Sequence, residues 1–157
     1  MEAISIIVDP VDEPAPEAPE EYTGALVPGT SATGQVSALG LPGSSDPTLS
    51  DYWLFEANAG DSVTIEVHRN EHDLDPSFWI FEGVVDEVDL GPTIDFSDPG
   101  VIDFADDEIP HPGPFGDPHL TFTAPSTGLY TAIVTNYASG PDHGGDGQFD
   151  YTIEYLL

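Results

Sequence analysis

The stretch Asp51-Tyr52-Trp53-Leu54-Phe55-Glu56-Ala57-Asn58-Ala59-Gly60-Asp61-Ser62-Val63-Thr64-Ile65-Glu66-Val67-His68 decides the fold class. An aromatic, apolar run ends in the turn chemistry of Asn58-Ala59-Gly60-Asp61. After it Val63, Ile65 and Val67 alternate with Thr64, Glu66 and His68, which is the period of a half-buried strand. The same texture extends outward. Ser77–Phe81 is a short apolar run suited to a core strand, and Leu120, Phe122 and Ala124 alternate with Thr121 and Thr123. Gly128–Thr135 follows a Pro-Ser-Thr-Gly turn, and Phe149, Tyr151, Ile153 and Tyr155 alternate with Asp150, Thr152 and Glu154. No window of helical length carries a 3.6-residue stripe free of proline or glycine, and sixteen of each punctuate the chain. About eight strands joined by turns predict an all-β protein, an antiparallel β-sandwich or jelly roll.

Charge narrows the function classes. The 157 residues hold 30 Asp plus Glu, one basic residue (Arg69), no lysine and no cysteine, a formal charge of 1 − 30 = −29. Nothing can neutralise phosphates, so nucleic acids and anionic membrane surfaces are repelled, and no lysine exists for a P-loop. Thiolate metal sites, disulfides and thiol nucleophiles are excluded. Acidity of this degree often means disorder. Here 39% hydrophobic and 10% aromatic residues, grouped in strand-length runs, supply a core instead. No apolar stretch approaches bilayer-spanning length, so membrane insertion is not expected. The near-absence of lysine and arginine suggests a saline or divalent-rich exterior, where screening shortens repulsion. The opening residues lack the basic region of a signal peptide, and export with the signal already removed is the preferred reading. An extracellular or cell-surface location follows.

Residues 1–21 read as an N-terminal strand plus an acidic, proline-rich linker, with the β-sandwich domain over 22–157. The linker holds four prolines and six acids between Asp9 and Glu21, a composition that stays extended. Ahead of it, Ile4, Ile6, Ile7 and Val8 form an apolar β-branched run. Two fates suit such a run: docking as an edge strand of its own sandwich, or donation to a sheet edge of a neighbouring copy, which chains subunits into a homopolymeric filament.

The segment from Glu82 to Pro118 is long for a loop and rich in acids, which points to function; short β segments near Val84–Leu90 and Val101–Phe104 divide it. Asp103, Asp106, Asp107 and Glu108 supply four carboxylates within six residues. Asp73 and Asp75 precede a strand and complete a candidate calcium set, since Ca²⁺ takes six to eight oxygens from flexible loops. Asp46 and Asp51 are further candidates. His68 and His72 flank Glu71 at a spacing that binds zinc on a helix but carries no geometry at a strand end. His111, His119 and His143 are read as scattered among turns, and Gly144–Asp150 as a tight turn. Arg69 is expected in a structural ion pair, and Trp53, Trp79 and the tyrosines in the core. No nucleophile elbow or His-Glu-x-x-His motif is present, so no enzyme activity is expected.

The strand motifs resemble a known family. Asp51–Ile65 is similar to the Asp-x-aromatic-x-Phe-x-Ala-x-x-Gly hallmark of bacterial pre-peptidase C-terminal domains. Leu74-Asp75-Pro76 entering Ser77–Phe81 resembles the family's Leu-Asp-Pro motif. Phe122-Thr123-Ala124-Pro125-Ser126-Thr127-Gly128-Leu129-Tyr130 looks like its late hairpin, and Phe149–Ile153 like its closing strand. The match runs in order over about residues 34–157. It implies a secreted, non-catalytic, calcium-binding jelly-roll module of exoenzymes or surface proteins, some of whose relatives bind extracellular polymers. The acidity, the insertion between Phe81 and His119 and the N-terminal Pro-Glu stretch depart from the family pattern. The resulting expectation is a calcium-stabilised binding or structural module, with the strand-donating filament subunit as the alternative.

Overall fold

The computed structural model describes residues 16–37, 45–70, 74–86, 90, 94–110, 116–136 and 148–157. The described residues form nine strands and no helix: β1 (Gly24–Ala25), β2 (Thr30–Ser37), β3 (Asp51–Ala57), β4 (Ser62–Arg69), β5 (Pro76–Glu82), β6 (Val101–Ala105), β7 (His119–Thr123), β8 (Gly128–Asn136) and β9 (Gln148–Leu156). They build a sandwich of a five-stranded sheet, β1-β3-β8-β5-β6, and a four-stranded sheet, β2-β9-β4-β7. Among the described strands only β1–β3 is a parallel pair. The turn between β3 and β4 is closed by Gly60 at φ 90°, where a side chain would be strained, and by Asp61 Oδ2 accepting the Asn58 N–H at 2.8 Å.

The alternation in β4 has its expected cause: Val63, Ile65 and Val67 are buried between the sheets while Thr64, Glu66 and His68 face outward. The continuous apolar runs of β3 and β5 have a different cause. Trp53 and Phe55 point inward with Phe78 and Ile80, whereas Tyr52 and Leu54 join Trp79, Phe81 and Ile133 in a second cluster on the outer face of the five-stranded sheet. A sheet buried on both faces reads as an unbroken apolar run. The cover is made by Tyr22 and by Leu90 and Ile94 of the long acidic segment. Described residues of that segment therefore cover a core face, fastened where Tyr22 Oη donates to the Val85 carbonyl.

Two local expectations are corrected. Residues 84–86 are not in a strand, and Val85 instead packs against the second cluster and bonds Tyr22, while residues 87–89 of that expected segment lie outside the described residues; the second expected segment does form, as β6. His119 does not lie in a turn: it opens β7 and stands opposite Glu66. Ile4, Ile6, Ile7, Val8, His72, Asp73, His111 and His143 lie outside the described residues, as do residues 144–147 of the expected turn. No helix among the described residues is long and apolar enough to cross a membrane.

Candidate functional site

The outer face of the four-stranded sheet brings two imidazoles together, those of His68 and His119. Register alone sets Ser31, Glu154, Glu66 and His119 in one row across four strands, because Ser31 pairs with Glu154, Glu154 with Glu66, and Glu66 with His119. His68 is two residues beyond Glu66 on the same face, opposite Thr152. Glu66 Oε1 lies 2.8 Å from His119 Nδ1, and its Oε2 lies 3.0 Å from His68 Nε2. Ligand atoms of Glu66, His68 and Glu154 fall within 4.8 Å of one another. The group is partly buried, with the Glu66 side chain 20% exposed and His68 and His119 36% and 37%.

Electrostatics sharpen this centre. Burial pushes the Glu66 carboxyl up, but the hydrogen bonds and charge of His119 and His68 outweigh it and hold the group below the usual glutamate range. Behind His68 stands Asp117, whose Oδ2 is 3.9 Å from Nδ1 and whose Oδ1 accepts from Arg69 Nε at 2.9 Å. Arg69 also donates to the Gly116 carbonyl, so the single guanidinium is spent inside the fold in the expected ion pair. The donors that matter are thus two imidazoles and two carboxylates drawn from three strands.

The acidic run behaves otherwise. Ligand atoms of Asp75, Asp106 and Asp107 lie within 4.8 Å of one another, a second cluster between the start of β5 and the turn after β6. Desolvation, then the charges of Asp75, Asp107 and Glu108, push the Asp106 carboxyl up to about 7. Glu108 is not part of the convergence: its oxygens accept the Asp106, Asp107 and His119 backbone N–H groups. Asp103 lies on β6 and accepts the neighbouring Phe104 N–H. Asp46 caps its own turn through Thr48, and Asp51 faces a separate cleft. Sequence spacing grouped four acids within six residues. The backbone of this turn instead separates them into cap, strand and cluster.

The sequence missed the imidazole centre because the cross-strand partners of Glu66, His119 and Glu154, lie 53 residues or more from it in the chain. One signal was available, the Glu66-x-His68 pair on the outward face of an alternating strand; the cross-strand neighbours needed the register.

No family model matches the sequence, and no curated protein matches it. Solved structures share the fold. CorA, a surface-associated copper-binding protein important in Methylomicrobium album BG8 copper acquisition, is 16% identical at a TM-score of 0.62, over 87% of this chain and 98% of its own. MopE, a Methylococcus capsulatus secreted protein in which an oxidized tryptophan facilitates copper binding, is 15% identical at 0.52, over 90% and 91%. The pre-peptidase C-terminal domain of a Bacillus anthracis collagenase is 15% identical at 0.48, over 89% and 99%. The fold of this chain is thus that of secreted and surface-associated β-sandwich proteins. The expectation of calcium is corrected: the neighbours described by their metal bind copper. Of the expected calcium set the structure brings Asp75, Asp106 and Asp107 together while Asp103 and Glu108 bond backbone N–H groups, and the centre at Glu66 offers nitrogen besides oxygen.

Proposed function

We propose that this chain is a non-catalytic extracellular binding module that takes a divalent transition-metal ion, copper, on the outer face of its four-stranded sheet. The observation that carries the reading is the meeting of Glu66, His68 and Glu154 within 4.8 Å, with His119 2.8 Å from Glu66. Imidazole nitrogen with carboxylate oxygen suits Cu(II), which also stands highest among the divalent first-row ions for a mixed N/O site. His68 and Glu66 supply the near pair, with His119 and Glu154 on the flanking strands. Asp117 stands on the far side of the His68 ring, the place of a carboxylate that orients a ligating imidazole. A charge of −29 raises the local concentration of any cation over this surface. The copper-binding sandwiches of similar fold support the choice of metal.

The test is a Cu(II) titration of the full chain followed by electron paramagnetic resonance. Nitrogen hyperfine structure at one equivalent, lost in a His68→Ala, His119→Ala double variant, is the expected result. Copper held with oxygen-only spectra, unchanged in the double variant, would reduce the reading to adsorption on acids.

A further inference from the structure

Resting on that reading, the donor set proposed for copper also decides which oxidation state it holds. Glu66, His68 and Glu154 bring two carboxylates and one imidazole within 4.8 Å, and His119 adds a second imidazole beside Glu66. None of these donors is soft. The whole chain has no cysteine, and its single methionine is Met1, which lies outside the described residues. Cu(I) selects thiolate and thioether ligands, whereas tetragonal nitrogen–oxygen sets suit Cu(II).

Charge acts in the same direction. Cu(II) balances the two carboxylates of Glu66 and Glu154, while Cu(I) leaves one negative charge uncompensated among partly buried groups. The field of a chain carrying −29 adds to the preference for the doubly charged ion. Geometry works against the remaining option of Cu(I), a linear pair of imidazoles. The Glu66 carboxylate ties up both rings, one oxygen to each, with Oε1 2.8 Å from His119 Nδ1 and Oε2 3.0 Å from His68 Nε2. For both of these nitrogens to meet one Cu(I) in line, each would give up its oxygen and Glu66 would lose both imidazoles.

We propose that this centre holds copper only as Cu(II) and gives it up on one-electron reduction. The electron comes from an external one-electron reductant, which is oxidised by one as Cu(II) becomes Cu(I). The bonds from His68, His119, Glu66 and Glu154 to the metal break, and the imidazoles return to Glu66. Cu(I) then passes to an acceptor with sulfur donors. The chain itself is neither oxidised nor reduced.

The experiment measures both affinities on the full chain. Cu(II) is followed by electron paramagnetic resonance in competition with glycine, and Cu(I) by competition with bicinchoninate under anaerobic ascorbate. The His68→Ala, His119→Ala double variant sets the baseline for adsorption on surface acids. Cu(II) should be held about a hundredfold or more tightly than Cu(I), which places the midpoint potential of the bound couple about 120 mV below that of the aqueous ions, at about 59 mV per tenfold. Glu154→Met exchanges a hard oxygen for a thioether and should narrow the ratio about tenfold, an upward shift of about 59 mV. His119→Met, on the edge strand β7, should shift it with the same sign and keeps the test open if Glu154→Met does not fold. A nitrogen-coupled Cu(II) spectrum with Cu(I) held equally tightly, or a potential that neither methionine variant moves, would overturn this inference and leave the copper reading standing. Absence of nitrogen-coupled Cu(II) in the wild type would overturn both.

Discussion

Glu66 and His119 stand directly opposite each other on β4 and β7, with Oε1 and Nδ1 2.8 Å apart. They join the strand that was plain in the sequence to one that opens a residue earlier than expected. Since His119 and His68 hold the Glu66 carboxyl below its usual range, its ionised form is favoured by folding. The stability it contributes is present above the unfolded value near 4.5 and is lost as pH falls through the lower folded value. Urea unfolding between pH 6 and 3 should show a loss that Glu66→Gln reduces.

Asp106 has the opposite sign. Its carboxyl is raised to about 7, so the folded state holds a proton that the unfolded chain releases near 3.8. The stability it contributes is greatest in acid and declines as pH rises through 7. Partly exposed, it is worth about 1–2 kcal/mol after solvent screening. Asp106→Asn should raise the melting temperature at pH 8 and change little at pH 4. Equal effects at both pH values would contradict the assignment.

Arg69 and Asp117 are both buried, with side chains 1% and 3% exposed and Nε–Oδ1 at 2.9 Å. Removing the cation by Arg69→Met should cost about 3–5 kcal/mol, because Asp117 is left charged in the interior. The double variant Arg69→Met, Asp117→Leu should recover much of that loss. Chemical denaturation of the four-member cycle measures the coupling.

Ile94 lies in the long acidic segment yet is only 3% exposed, packed with Trp79, Phe81 and Ile133. Ile94→Ala should cost about 2–4 kcal/mol, the range of a core deletion rather than a loop change. A loss below about 0.5 kcal/mol in equilibrium unfolding would show that the second cluster is not cooperative with the sandwich.

Gly34 has no room for a methyl group between Tyr151 and Asp51. Gly34→Ala should destabilise by about 1–3 kcal/mol through overpacking. The chosen check is thermal unfolding beside Tyr151→Phe, which keeps the packing and loses only the hydroxyl links. Gly34→Ala as stable as wild type would show that the Tyr151–Asp51 contact yields freely.

By itself the sequence determined the fold class, since alternation in 62–68 and 149–155 and the glycine and proline punctuation are local properties of strands and turns. It also determined that Arg69 must find a carboxylate, there being one cation among 30 acids, and that Trp53, Trp79 and the tyrosines would be core, as the described ones are. Tertiary structure decided which faces meet. The unbroken runs of β3 and β5 did not reveal that Leu90 and Ile94 would cover a second face. Spacing could not show that Glu108 would serve backbone N–H groups while Asp75 joined Asp106 from another strand. The imidazole centre is the clearest case. His119 meets Glu66 only through a strand register set by apolar side chains on the other face of the sheet, and no local pattern encodes that meeting. The opening alternation of Val63, Ile65 and Val67 thus fixes the inward face, and the outward face it leaves becomes a candidate site once its neighbours arrive.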